Sequence, residues 1–275
     1  MGGGNVSMPA LTVRARLLGF GQSAASIAAW AGILISTAFW TILIFFAYVP
    51  HEFLDPQRRL AHRLASLWGR TLIRMAPGSR VEVIGWKNVP QGRPVIFMAN
   101  HQSYVDVPFL FFLRTQFKWM ADEGLFKIPV FGWAMRMAGY IPVRRGDPRR
   151  GMESLAQAKA YLQEGISIFI FPEGTRSHTG VFGRFQTGGF RLAMSMGMPI
   201  VPVVVSGTRQ LLPRGSWAFR WGIRLKVRIL PPVPIPRDSR YSHELIQRVR
   251  PEMKKAFQEA LLDERHVRIK NHGKP

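Results

Sequence analysis

From Leu17 through His51 the chain carries no Asp, Glu, Lys or Arg, and Ala24 to Val49 alone supplies 26 small, branched and aromatic residues. At 1.5 Å per residue, such a run is long enough to cross or embed in a hydrocarbon layer about 30 Å thick. A secretory signal is the competing reading. The run exceeds the roughly 7 to 15 apolar residues of a signal core, however, and no clear small-x-small cleavage site follows, so the pattern predicts a retained anchor. Between residues 56 and 76 the period becomes helical: Leu60, Leu64, Leu67, Trp68, Leu72 and Met75 recur on one arc, with Arg59, Arg63, Arg70 and Arg74 along the next. This predicts a basic amphipathic helix. It either lies at the headgroup level with snorkelling arginines or packs on the protein's own core, and its place directly after the anchor favours the membrane.

Beyond Pro77-Gly78 the pattern changes to short apolar runs alternating with helical ones. Strands are expected at Val81–Gly85, Pro94–Ala99, Lys118–Ala121, Tyr140–Val143, Ser167–Phe171, Ile200–Val205 and Leu225–Leu230. Helices are expected at Asp106–Leu113, Pro129–Ala138, Arg150–Gln163 and Thr187–Met196, bounded by Pro or Gly. Fully apolar strands interleaved with helices predict an α/β domain whose mixed, mostly parallel sheet is flanked by helices, preceded by a membrane-associated two-helix segment. A stiff connector, Pro231 to Pro236, leads to a charged helix from Tyr241 to Asp263, interrupted or restarted near Pro251. The expected organisation is an anchor segment over 1–76, an α/β domain over 77–263 and a flexible basic tail over 264–275.

Charge narrows the partner. The chain has 38 basic and 16 acidic residues, a formal net charge of +22, which calls for a polyanionic surface: nucleic acid or an anionic lipid leaflet. The basic residues are scattered, with no stripe interleaved with aromatics and no recognised nucleic-acid motif, so the apolar segment assigns the charge to the bilayer and not to nucleic acid. Arg14 and Arg16 precede that segment and Arg58, Arg59, Arg63, Arg70 and Arg74 follow it. The count favours the cytoplasmic face, and basic flanks on both sides also suit a helix that dips into one leaflet. There is no Cys, which removes thiol nucleophiles, disulfides and Cys-based zinc sites.

Chemistry is expected where apolar strands stop at polar turns. The run ending at Ala99 meets Asn100 and His101, with Asp106 five positions after the histidine. Inside one regular helix those two side chains would point about 140° apart, so they meet only if His101 lies in the loop and Asp106 begins the helix. A carboxylate there accepts the imidazole Nδ1–H and leaves Nε2 free to take a proton. Taken alone, the pair has a plainer reading, in which Asp106 caps a helix at about 1 kcal/mol and His101 is a loop residue. A second turn, Pro172 to Ser177, offers Gly174 for close backbone approach, the Thr175 hydroxyl and the planar fork of Arg176, a set suited to phosphate. The ordinary alternative is a local Glu173–Arg176 ion pair.

Asn100-His-Gln-Ser-Tyr-Val-Asp106 resembles the Asn-His-x4-Asp block of the glycerolipid acyltransferases, and Phe171-Pro-Glu-Gly-Thr-Arg-Ser177 resembles their Phe-Pro-Glu-Gly-Thr-Arg-Ser block. Leu125 to Trp133 with Gly139 to Arg145, and Ile200 to Val204, resemble two further blocks in the same order, across about residues 80 to 235. The bacterial 1-acyl-sn-glycerol-3-phosphate acyltransferases are the nearest branch. The resemblance implies acyl transfer from acyl-CoA or acyl carrier protein to the sn-2 hydroxyl of a lysophospholipid, without metal or cofactor. His101 would be the base and Asp106 its orienter, and Asn100, Arg145, Glu173, Gly174, Thr175 and Arg176 would bind the acceptor. No Gly-x-Ser-x-Gly elbow is present, and a thioester needs no covalent enzyme intermediate. Backbone N–H groups near Gly139 or in the 173–176 turn are candidates for stabilising the oxyanion.

Two positions depart from the family pattern. Asp122-Glu123 and Gln186 stand where many relatives carry lysine, which leaves Arg145, Arg184, Arg191 and Arg209 to supply the charge, or implies another acceptor such as a lyso-ornithine lipid. Metal hydrolysis through His101 and Asp106 lacks a further ligand at suitable spacing. Met194, Met196 and Met198 are read as core packing in preference to an acyl groove.

Overall fold

The computed structural model describes residues 8–76, 78–235 and 242–272. Seven strands form one sheet: β1 (Arg80–Ile84), β2 (Ile96–Ala99), β3 (Phe117–Asp122), β4 (Ile141–Val143), β5 (Ser167–Ile170), β6 (Ile200–Ser206) and β7 (Arg224–Ile229), in the order β1-β7-β6-β2-β5-β3-β4. Only the β6–β7 pair is antiparallel. All seven expected strands are present, and the sheet is mixed and mostly parallel, as the apolar runs implied. Strand periodicity splits the core between the two faces. Phe97, Ala99, Phe169, Val201 and Val203 point into one cluster, while Ile96, Met98, Ile168, Ile200 and Val204 point into the other. Both faces are covered, so every residue of β2 and β6 is buried.

The helices are α1 (Met8–Tyr48), α2 (His51–Leu54), α3 (Arg59–Arg74), α4 (Asp106–Leu110), α5 (Phe131–Met137), α6 (Pro148–Gln163), α7 (Gly188–Met196), α8 (Thr208–Leu211) and α9 (Ser242–His272). Residues from α3, α4 and α5 join the first cluster, and residues from α6, α7 and α9 join the second. Helix α9 runs through Pro251, where a break was expected. Leu245, Val249, Met253, Ala256 and Phe257 bury one continuous stripe along it, and that burial offsets the roughly 3 kcal/mol cost of an internal proline. The helical backbone also continues to His272, beyond the expected end at Asp263. Pro77, Pro236, Tyr241 and the tail residues 273–275 lie outside the described residues.

The basic amphipathic helix α3 differs from its sequence reading. Its buried stripe is Ala61, Ala65, Gly69 and Ile73, with His62 and Ser66, packed against the protein, while Leu60 and Leu67 stay exposed. Small residues at a four-residue spacing let α3 approach α4 closely. At Gly69 an added Cβ would lie 2.4 Å from Phe111 Cδ2 and 2.9 Å from the Pro108 carbonyl oxygen.

Residues Gln22–Tyr48 of α1 form a 27-residue stretch whose most apolar 18 residues have a mean hydropathy of 2.0, long and apolar enough to cross a membrane. One face is fastened to the protein. Gln22 Nε2 donates to the Phe219 carbonyl at 3.1 Å, Phe219 N–H donates to Ser26 Oγ at 3.0 Å, and Trp30 Nε1 donates to the Trp217 carbonyl at 2.8 Å. Farther along, Trp68 Nε1 donates to Thr37 Oγ1 at 3.1 Å, and Thr41 and Ile44 are buried. The opposite face is bare: Ile35, Phe39, Ile42 and Phe46 are all exposed.

Candidate active site

Parallel strands deliver their carboxyl ends to one edge, so the loop after β2, the turn after β5, Asp122 at the end of β3 and Arg144-Arg145 after β4 emerge together. Asp106 opens α4 fully buried. Its Oδ2 accepts His101 Nδ1–H at 2.8 Å and the backbone N–H groups of Gln102 and Ser103 at 2.6 and 2.9 Å. Three donors on one oxygen hold the carboxylate still and fix the imidazole tautomer, so Nε2 carries the free lone pair. The His101 side chain is 15% exposed and its ring stacks on Phe171 at 4.0 Å and 12°.

Two residues expected to touch the acceptor are instead structural. Asn100 is buried and exchanges both amide groups with the Val205 backbone, at 2.9 and 2.8 Å, continuing the β2–β6 pairing one step past the strand. Glu173 is buried as well: His101 N–H donates to Oε1 at 3.0 Å and Gly183 N–H to Oε2 at 2.7 Å. Burial pushes its carboxyl pKa up, and the two N–H donors pull against that shift. With both oxygens engaged, Glu173 is a brace between the His101 loop and residue 183, and a carboxylate is in any case a poor neighbour for phosphate. In return, Ser177 N–H donates to the His101 carbonyl at 2.8 Å.

Pro172 and Ser177 are buried, whereas Gly174, Thr175 and Arg176 are not. Gly174 takes a φ of +70°, and the backbone N–H groups of Thr175 and Arg176 have no acceptor among the described residues. The alternative oxyanion donor fails on geometry: Gly139 N–H is spent on the Arg136 carbonyl at 3.0 Å, and Gly139 is not part of the cleft wall. The Arg176 guanidinium lies over the Tyr104 ring, 3.5 Å from its centre. Arg145 is paired with Asp122 at 3.4 Å and Arg144 with Glu123 at 3.5 Å, so the unusual acidic pair has its cations in the adjacent strand end. Asp122 Oδ1 also caps the following turn by accepting Gly124 N–H at 2.9 Å. Arg209 is bound to the carbonyls of Ser177 and His178. Arg176, Arg184 and Arg191 are left without a carboxylate partner among the described residues, and Arg191 is the one of these that lines the cleft.

These turns open into a cleft of about 1550 Å³. Its lining is polar at His101, Thr175, Arg145 and Arg191 and apolar at Trp30 and Trp40 of α1 and at Phe111 and Trp119. The three methionines Met194, Met196 and Met198 pack on the second core cluster and do not line it.

Sequence reading missed a second polar cluster, buried at the foot of α3. His62 Nε2–H donates to the Thr115 carbonyl at 3.0 Å while Nδ1 accepts from the Tyr140 hydroxyl at 3.2 Å. Burial first, then the nearby Lys118 charge, lowers the His62 pKa to about 3. Lys118, inside β3, donates to the carbonyls of Ala138 and Arg58 at 2.8 and 3.3 Å, and burial lowers its pKa to about 7. The one available clue was a lysine between Phe117 and Trp119 in an otherwise apolar strand.

A family model described as acyltransferase matches residues 80–206. A chloroplast 1-acyl-sn-glycerol-3-phosphate acyltransferase of Arabidopsis thaliana is 38% identical over 181 residues, 64% of this chain and 50% of that protein. The enzyme named 1-acyl-sn-glycerol-3-phosphate acyltransferase in Pseudomonas aeruginosa is 34% identical over 54% of this chain and 57% of its own length. The human alpha form is 34% identical over 68% of this chain and 67% of its own. The chain spans about half the length of the plant and algal relatives it matches. The crystal structure of the 1-acyl-sn-glycerophosphate acyltransferase from Thermotoga maritima superposes with a TM-score of 0.74 at 25% identity, covering 87% of this chain and 97% of that one.

Proposed function

Because the chain belongs to the glycerolipid acyltransferase family, we propose that it is a membrane-bound 1-acylglycerol-3-phosphate O-acyltransferase. It moves a fatty acyl group from acyl-CoA or acyl carrier protein to the sn-2 hydroxyl of lysophosphatidate, giving phosphatidate. The observation that carries this reading is the free Nε2 of His101, held by the triply bonded Asp106 oxygen in a cleft whose lining joins cationic side chains to a large apolar surface. His101 Nε2 takes the proton of the acceptor hydroxyl as its oxygen attacks the thioester carbon. The C–O bond forms, the C–S bond breaks, and the imidazolium returns the proton to the leaving sulfur. The unpartnered N–H groups of Thr175 and Arg176 are the donors best placed to meet the oxyanion. Arg176, beside the cleft-lining Thr175 and without a carboxylate partner among the described residues, receives the acceptor phosphate, and Arg191 adds charge from the cleft wall.

The substrate is a membrane lipid, and α1 supplies the contact with the bilayer at the cytoplasmic face. A helix fastened to the catalytic domain from Gln22 to Ile44 does not leave that domain to cross alone, so we place it embedded from one side with its bare stripe in the acyl chains.

The test is acyl transfer by membranes supplied with a panel of lysolipids and both donor types, followed by product identification. Phosphatidate is the expected product. His101→Ala lowers kcat about 10²- to 10⁴-fold while membrane attachment and thermal midpoint stay at wild-type values, and Asp106→Asn lowers kcat similarly but also lowers the midpoint, because the buried carboxylate holds three donors. Near wild-type turnover in His101→Ala excludes it as the base. Exclusive transfer to a lysolipid lacking phosphate replaces the acceptor assignment, with the Asp122–Arg145 and Glu123–Arg144 pairs as the reason the site carries less positive charge.

A further inference from the structure

The two polar turns are held together by a reciprocal exchange of side chains. The segment after β5 gives Phe171 to the ring of His101, and the loop after β2 gives Tyr104 to Arg176, whose guanidinium carbon lies 3.5 Å from the ring centre. The His101 N–H donated to the Glu173 carboxylate and the Ser177 N–H donated to the His101 carbonyl join the same two segments. Tyr104 sits between His101 and Asp106, lines the cleft and is 56% exposed. A guanidinium lying flat on an aromatic ring keeps its N–H groups in its own plane, aimed outward at oxygen acceptors. Arg176 has no carboxylate to orient it instead, and its carbonyl is pinned by Arg214 Nη1.

We infer that Tyr104 is a positioning residue for the acceptor phosphate: by holding the Arg176 fork in place, it preorganises the phosphate contact and so strengthens acceptor binding. The inference rests on the acceptor and base assigned above. One short loop then carries the base, its orienter and the platform for the phosphate ligand, so the two ends of the acceptor are referred to a common frame.

Steady-state kinetics on the full chain test this, with 1-acylglycerol 3-phosphate and phosphate-free 1-monoacylglycerol as acceptors. Tyr104→Ala is expected to raise KM for the phosphate-bearing acceptor about three- to fivefold, the factor an exposed cation–π contact is worth. Its kcat stays within about twofold and its pH profile is unmoved, the pattern of lost binding without lost chemistry. Tyr104→Phe restores the wild-type KM, and the KM for monoacylglycerol does not change in either variant. In an Arg176→Gln background, Tyr104→Ala adds nothing further. An unchanged KM in folded Tyr104→Ala overturns the inference, as does an equal rise for the phosphate-free acceptor or an undiminished effect without Arg176. Failure of the wild-type chain to acylate any phosphate-bearing lysolipid overturns the proposed function instead, and is read before any variant is compared.

Discussion

Two histidines in this chain are held in opposite tautomers, and the difference separates chemistry from architecture. His101 gives Nδ1–H to a carboxylate and keeps Nε2 open to the cleft, whereas His62 gives Nε2–H to the Thr115 carbonyl and accepts the Tyr140 hydroxyl at Nδ1. His62 therefore has no room for a second proton, and its pKa is lowered from 6.5 to about 3. Between those values the unfolded chain binds a proton that the folded chain refuses, so stability is lost as pH falls below about 6.5, by about 2 kcal/mol at pH 5. Lys118, lowered from 10.5 to about 7, acts in a separate window: there the unfolded chain holds the extra proton and stability rises with pH. Glu173, pushed up by burial, contributes with the opposite sign in the acid range, but equally in wild type and in a His62 variant. His62→Gln keeps a donor for Thr115 and an acceptor for Tyr140 without a titrating group. Its thermal midpoint in detergent micelles is expected to fall less between pH 7 and pH 5 than that of the wild type. Equal falls in the two proteins remove His62 as the source of acid sensitivity.

Elements whose role is set by side-chain pattern were readable, and those set by close approach were not. The unbroken apolar run Ile96-Phe-Met-Ala99 specifies a strand with two buried faces, and the five-residue spacing of His101 and Asp106 places a loop residue against the first turn of a helix. Asn100 reads as a ligand because its pairing with Val205 needs a strand 105 residues away in sequence. On α3 the leucines draw the eye, yet the tight contact belongs to Ala61, Ala65 and Gly69, which contribute little to any hydrophobic pattern. Gly69→Ala tests this contact. Alanine is ordinarily better in a helix by about 1 kcal/mol. Here its Cβ would meet the Pro108 carbonyl oxygen at 2.9 Å and Pro108 Cα at 3.0 Å, backbone atoms that no rotamer change can move. The expected result is a net loss of about 1 to 3 kcal/mol, read as a lower thermal midpoint. Turnover should fall as well, since Pro108 lies in the same helical turn as Asp106. Gly151→Ala in α6, where a Cβ meets nothing within 4 Å, is the matched control and should raise the midpoint.

At the scale of the whole molecule, the proposed bilayer contact draws on both the +22 charge and the apolar helix, which differ in their dependence on salt. Charge attracts the chain to an anionic leaflet over a screening length of about 10 Å at 0.1 M salt and about 3 Å at 1 M, whereas burial of apolar side chains in the acyl region is not weakened by salt. Ile35, Phe39, Ile42 and Phe46 recur at four- and three-residue steps, so they form one stripe directly opposite the face that Ser26, Thr37, Thr41 and Ile44 turn to the protein. At about 1.5 to 3 kcal/mol for each side chain fully buried, the stripe is enough to retain the chain on vesicles without electrostatic help. Replacing all four by Ser should therefore leave the chain bound to anionic vesicles at about 0.1 M salt and release it at about 1 M, where the wild type stays bound. Because none of the four touches the catalytic domain, the thermal midpoint and turnover of detergent-dispersed acceptor should be unchanged, while turnover of acceptor embedded in vesicles at high salt is lost. Retention of the variant on vesicles at 1 M salt places the attachment elsewhere, with the exposed Phe53 and Leu54 of α2 next in line. Loss of detergent activity shows instead that the stripe helps to hold the cleft open, and that its role is internal.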